Sequence, residues 1–338
     1  MRFAIISADL AHAVSVKINP EEGDATSFLN WLDVLSGVHL SFKVLKESGY
    51  EYLRHFDIVM MSGHPSHIVD IINIAKYLKD KDTVTMFYPE GSTQLYDNSI
   101  RGFHREYYDA WRACDILSIA EEDKAAYYSR FVGRDTLVRF VHVPLRKEME
   151  AGEFLVARKE KANTALVYGD NNPNHPMIAM ACAARVGLGV VGIDTGGREN
   201  ADQFASMFKG TKFSYGPKQS LYSFLRHLGR SLVHFYPTEW IGTARQQIAC
   251  AVVGTPCIGN KDSHTQRRLF PNLGCYIYDV DAMEDLAEML INDEKFYERV
   301  CDHAFKEVSF YGMEATKARF MEAYDQARRV KAERLVAA

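Results

Sequence analysis

Short apolar runs alternate with longer stretches of helical periodicity along most of the chain, and each change of period marks an element. Phe3-Ala4-Ile5-Ile6 is apolar at every position, as a strand covered on both faces of a parallel sheet must be. From Ser27 to Glu47 the residues Leu32, Leu35, Val38, Phe42 and Leu45 recur at helical spacing, and Gly49 ends the run, which predicts one helix. Phe56 to Met61 reads as the next strand. His67 to Lys79 is helical, with Ile68, Ile71, Ile72, Ala75 and Leu78 on one face, and Thr83 to Tyr88 is a strand stopped by Pro89-Glu90-Gly91. A helix over Phe103 to Arg112, a strand over Asp115 to Ile119, a helix from Glu121 to Phe131 and a strand from Val138 to Val143 follow.

Leu145 to Asn163 breaks this rhythm with a charged stretch containing Arg158-Lys159-Glu160-Lys161, and reads as a linker. The alternation then resumes. Strands at Thr164 to Gly169, Val190 to Ile193, Lys212 to Tyr215 and Leu232 to Tyr236 are separated by helical segments, among them His175 to Val186 and Ser220 to Leu228. Beyond Tyr278 the pattern is almost entirely helical, over Met283 to Ile291, Glu294 to Val308 and Met313 toward Glu333. Two successive alternations predict an α/β chain with two Rossmann-like, doubly wound domains in series, whose strand-end loops face a cleft. The expected divisions are 1–150, 151–310 and a terminal helical segment at 311–338.

Composition narrows the class without choosing a partner. Of the 338 residues, 47% are hydrophobic and 25% charged, and 40 basic against 44 acidic side chains leave a net charge of -4. That is ordinary for a globular protein and argues against coating a polyanion. Cys114, Cys182, Cys250, Cys257, Cys275 and Cys301 are widely spaced, with no close pair of the kind a zinc knuckle or redox centre uses; buried thiols in a reducing compartment, and no metal, are the expectation. Asp9 and His12 interrupt the N-terminal apolar run before a signal-like core is complete. No apolar run approaches the roughly 20 residues of a membrane span, so a cytoplasmic setting is expected.

The most specific stretch is Pro237 to Asn260. Glu239 precedes a helix that Gly242 and Thr243 open, and Gly254-Thr255-Pro256 closes that helix into Cys257-Ile258. Unpaired N–H groups at such a helix start can hold a diphosphate, and a carboxylate just upstream can accept from ribose or sugar hydroxyls. The stretch resembles the donor-binding motif of the two-domain glycosyltransferases of the GT-B fold, whose retaining members carry two glutamates here. Glu239 matches the first, and Gln247 stands at the second. The resemblance implies a nucleoside-diphosphate sugar as donor in the second domain, no prosthetic group, and a terminal helix that crosses back to the first domain with Phe320 and Tyr324 as docking residues.

The family's Arg/Lys pair after the first strand of the second domain is missing. The loop that opens at Gly169 runs Asp170-Asn171-Asn172-Pro173-Asn174-His175 without a basic residue. Lys218, Lys261, Arg267 and Arg268 are the alternative partners for the diphosphate, and an arginine can hold two phosphate oxygens at once. On the first domain, Asp9 with His12, His64 with His67, and Tyr88 with Glu90 and Ser92 follow predicted strands. Glu90, set between Pro89 and Gly91, is the first choice for a base on the acceptor hydroxyl, followed by His64 and His12. The leading reading is therefore a glycosyltransferase. A non-hydrolysing nucleotide-sugar epimerase and a non-catalytic relative that binds nucleotide sugar or protein stand beside it. The acceptor stays open among saccharide, lipid-linked sugar, protein and modified base, as does peripheral association with a membrane. Phe103, Tyr107, Tyr108 and Trp111 lie at helical spacing, where they either stack on a sugar or base or pack a helix core.

Overall fold

The computed structural model describes residues 1–7, 30–63, 67–89, 104–168, 175–193, 203, 205–208, 210–216, 220–238 and 245–337. Their contacts divide the chain into two units: one runs to Leu145 and resumes at Tyr311, and the other includes Arg146–Phe310.

In the first unit the strands are β1 (Phe3–Ser7), β2 (Val38–Ser41), β3 (Ile58–Gly63), β4 (Val84–Pro89), β5 (Ile116–Ile119) and β6 (Leu137–Phe140). They form one sheet in the order β2-β1-β3-β4-β5-β6, with every pair parallel. β1, β3, β4 and β5 are buried along their whole length, which is why their sequences are apolar runs without alternation. Helices at Ile68–Leu78 and His104–Ala113 agree with the helical spacing.

The single helix expected over Ser27 to Glu47 is not formed in its described part. Asn30–Leu35 is helical, β2 follows, and Phe42–Ser48 is a second helix. Ser36 takes a positive φ of 51°, which stops the first helix, and Gly37 lies so close to β1 that a Cβ would meet the Phe3 ring at 2.4 Å. Val38, His39 and Leu40 then pair with Ala4, Ile5 and Ile6, so sheet pairing overrides a helical period that was present by coincidence. The helix expected over Glu121 to Phe131 is likewise shorter, a 3-10 turn at Glu122–Lys124 leading into Ala125–Tyr128.

The long helix Met313–Ala337 belongs to this first unit. Phe320, Ala323, Tyr324 and Ala327 enter the core beside Phe3, Ile5, Trp31 and Met60. The Phe320 ring lies 5.0 Å from Trp31 and 5.8 Å from Phe3, the latter edge to face. A buried polar knot fixes the helix further along. Lys331 Nζ donates to Asp115 Oδ2 at 2.9 Å and to the carbonyls of Leu78 at 3.0 Å and Thr83 at 2.6 Å, while Arg334 reaches Asp115 Oδ1 at 3.2 Å. Asp115 also accepts from the Thr85 amide and hydroxyl, at 2.9 and 3.0 Å.

The second unit has β7 (Ala162–Tyr168), β8 (Gly189–Ile193), β9 (Phe213–Gly216), β10 (Ser231–Tyr236), β11 (Cys257–Asn260) and β12 (Gly274–Cys275) in the order β12-β11-β10-β7-β8-β9, again all parallel. Counted within the unit this is the doubly wound order 3-2-1-4-5-6. The Arg245–Val253 helix is buried from Gln247 to Val253 and ends at Gly254 with φ +67°, the left-handed closure its sequence suggests. Helices at Val280–Asn292 and Glu294–Glu307 follow, and Asp279 and Asp293 cap them through the amides of Ala282 and Phe296.

Because Lys331 is 2% exposed and Asp115 5%, removing one partner leaves the other charge in the interior. Lys331→Met is expected to lose about 3 kcal/mol of folding stability in urea titration. A loss below about 1 kcal/mol would mean that Arg334 and Thr85 satisfy Asp115 unaided.

Candidate functional site

All strands of the second unit run the same way, so their carboxyl ends share one edge of its sheet. The order reverses between β7 and β10, and ligands of doubly wound sheets bind outside the strand ends at such a switch point. The chain leaves β7 at Tyr168 and β10 at Tyr236, so the segments that continue from the switch point are those containing Gly169 and Glu239. Gly169, Lys218, Glu239, Gly242 and Thr243 lie outside the described residues, as do His12, His64 and Glu90 of the first unit. Those last three follow β1, β3 and β4 in the sequence, on strands whose carboxyl ends again share an edge.

Several described residues order the edge of the second sheet. Thr238 is 1% exposed, and its carbonyl accepts from Asn260 Nδ2 at 3.0 Å, which ties the exit of β10 to the end of β11. Asn260 Oδ1 accepts from the Asp262 amide at 2.9 Å, bending the chain so that Ser263 caps the next short helix through Gln266. Gln266 then donates to the Cys257 and Leu273 carbonyls at 2.8 and 3.1 Å. On this framework Lys261 Nζ stands 3.3 Å over the ring of Tyr276, and Arg267 Nη1 donates to the Lys261 carbonyl at 2.9 Å. The His175 ring lies 5.5 Å from Tyr278, so the start of the helix after β7 meets the segment after β12.

The structure brings Arg267 next to Lys261 but holds Arg268 differently. Arg268 pairs with Glu307 at 3.3 Å, and its guanidinium lies 3.6 Å over the Phe310 ring. Gln247 is in the first turn of the Arg245–Val253 helix and is 1% exposed, with no hydrogen-bond partner for Oε1 among the described residues. Burial pushes the Tyr236 phenol up, and pulls the His234 imidazole down, so both are neutral near pH 7.

In the first unit, Tyr107 and Trp111 are 2% and 4% exposed, and their rings meet those of Phe87, Tyr108 and Tyr128 edge to face. They pack the helix onto its sheet and do not offer a platform for a base. Sequence reasoning missed the buried pair of Ser7 Oγ and His39 Nε2, 2.8 Å apart at the end of β1. It also missed Asn260 and the Lys261–Tyr276 stack, whose members become neighbours only through the β11–β12 pairing.

No protein-family model matches the sequence, and no curated protein matches it either. Solved structures do match the fold. HepE of Anabaena, solved with UDP and glucose, superposes with a TM-score of 0.71 over 96% of this chain and 100% of its own at 8% identity. Sucrose-phosphate synthase from Thermosynechococcus elongatus gives 0.71 over 96% and 98% at 11% identity. An α-glucosyltransferase in complex with UDP and a DNA containing an HMU base gives 0.63 over 97% and 99% at 10% identity. The fold is GT-B. Similarity at this level of identity carries the GT-B architecture along nearly the whole chain, while the chemistry has to be argued from the residues. Among the described residues, no helix is long and apolar enough to cross a membrane.

Gln247 permits a direct test of its surroundings. In Gln247→Glu the new carboxyl is buried, which raises its pKa above the roughly 4.3 of the unfolded chain. The penalty is absent below about pH 4.3 and accumulates as pH rises through the raised folded-state value, reaching about 4 kcal/mol if the shift is about three units. Urea titrations of both proteins across pH should converge in acid and diverge toward neutrality. Parallel curves would show that the side chain is solvated.

Proposed function

We propose that this chain is a glycosyltransferase that moves a sugar from a nucleoside-diphosphate sugar to an acceptor hydroxyl. The observation that carries the reading is the topological switch point of the second sheet, from which the chain continues on one side at Gly169 and on the other at Glu239. The GT-B fold supports it, since proteins sharing this fold were solved with UDP, UDP-glucose and glucose. In this reading Glu239 accepts from sugar or ribose hydroxyls, Gly242 and Thr243 offer backbone N–H groups to the diphosphate, and Gln247 and Gly169 border the donor. Lys218, Arg267 and Arg268 offset the charge of the departing diphosphate, and Glu90, with His64 and His12 behind it, acts on the acceptor from the first unit.

Proteins of the same fold were solved in complex with DNA and with Fondaparinux, and the acceptor class here is left to experiment. A non-catalytic nucleotide-sugar binder is the second reading. It is favoured by the uncharged Gln247 and by the absence of Arg and Lys from 169–175.

Calorimetry with UDP-glucose and other nucleotide sugars tests the donor site. Wild type is expected to bind at least one, and Glu239→Ala to bind it at least about 10-fold more weakly, the loss of one charge-assisted hydrogen bond. Equal binding by both would remove Glu239 from the site, and the absence of any binding would remove the donor class. Once a donor and acceptor pair turns over, Glu90→Gln should lower kcat by about 100-fold or more with donor affinity kept, because a base acts in the transition state. A binder without catalysis would show donor affinity but no transfer to any acceptor, and unchanged kcat in Glu90→Gln would exclude it as the base.

A further inference from the structure

His234 on β10, Cys250 in the Arg245–Val253 helix and Cys257 on β11 place a ring nitrogen and two sulfur atoms within 4.8 Å of one another, and all three residues are buried. They meet because β10 and β11 pair with His234 opposite Cys257, and the helix that carries Cys250 connects those two strands. We propose that His234, Cys250 and Cys257 form a structural binding site for a soft divalent cation of the zinc class, separate from the sugar-transfer chemistry.

The donor set and the state of the histidine both favour this. Two sulfurs and an imidazole in a dry interior select zinc-like ions over magnesium or calcium, which require oxygen ligands. In a tetrahedral site with metal–sulfur distances of about 2.3 Å and metal–nitrogen of about 2.0 Å, donors stand about 3.5–3.8 Å apart, so shifts of under about 1 Å close the present group around an ion. His234 Nδ1 donates to the Leu166 carbonyl at 2.8 Å, which leaves the lone pair on Nε2. A carbonyl that fixes the tautomer in this way is the usual second partner of a metal-bound imidazole. The side-chain oxygen of Gln246, one helical turn before Cys250, lies 2.7 Å from Nε2. That separation is a hydrogen bond rather than a ligand spacing, so an ion bound at Nε2 takes the place of the Gln246 amide on the ring.

Such a site loads as the chain folds, so the test refolds the full-length protein in cobalt(II) or zinc and removes excess ion. Wild type is expected to retain one ion per chain, to show sulfur-to-cobalt charge transfer with the intense visible bands of a four-coordinate site, and to show two sulfur scatterers in the zinc X-ray absorption spectrum. Cys250→Ser and Cys257→Ser should each weaken binding by at least about 100-fold, whereas Cys182→Ser, a buried cysteine outside the group, should bind as wild type does. The wild-type spectra decide the matter even if the serine variants fail to fold. Retention of no ion, an ion without sulfur in its shell, or a Cys250–Cys257 disulfide found by mass spectrometry would each overturn the site.

Discussion

One carboxylate holds the first unit together. Asp115 opens β5, and its two oxygens collect the amide and hydroxyl of Thr85 on β4, the Lys331 ammonium and the Arg334 guanidinium. Lys331 brings with it the carbonyls of Leu78 and Thr83, so the start of two strands and the end of a helix are tied to the last helix of the chain. Burial pulls the Lys331 pKa down, and the adjacent carboxylate opposes that. A charge in such a place is tolerable because each of its donors has an acceptor. The apolar contacts of Phe320 and Tyr324 place the helix against the sheet, and the polar knot fixes how far along it lies.

Different physics orders the second unit near its sheet edge. There neutral amides do the work: Asn260 links β10 to β11 and starts a turn, and Gln266 bonds to the carbonyls of Cys257 and Leu273. Amides of this kind can saturate several backbone groups without placing a charge among them. The basic groups stand outside this framework, with Lys261 on the Tyr276 ring and Arg268 on the Phe310 ring, where aromatic faces accept them at little desolvation cost.

Much of the architecture was legible because buried parallel strands leave an unmistakable trace. Phe3 to Ile6, Ile58 to Met61 and Leu232 to Phe235 are apolar at nearly every position, and the terminal helices carry their own caps at Asp279 and Asp293. Val38 to Leu40 was misread because its apolar residues continue a helical spacing, and only the close approach of Gly37 to Phe3 reveals the strand. The aromatic spacing of Phe103, Tyr107, Tyr108 and Trp111 fitted two roles, and burial decides for packing at Tyr107 and Trp111. His234, Cys250 and Cys257 were invisible as a group, since each belongs to a different element and no linear motif joins them.

The division of the chain has a consequence for how the protein is made. Residues 146–310 lie in one unit and are contiguous, whereas the first unit is split, with its last helix arriving after the other unit has been synthesised. During translation Asp115 and the face of the sheet around Phe3 must therefore wait, exposed, for Phe320 and Lys331. The unit that begins first is completed last. A premature stop between Tyr311 and Phe320 would leave the second unit with all of its residues and the first with an uncovered apolar surface, so chaperone dependence and aggregation of such truncated chains would trace to the N-terminal half.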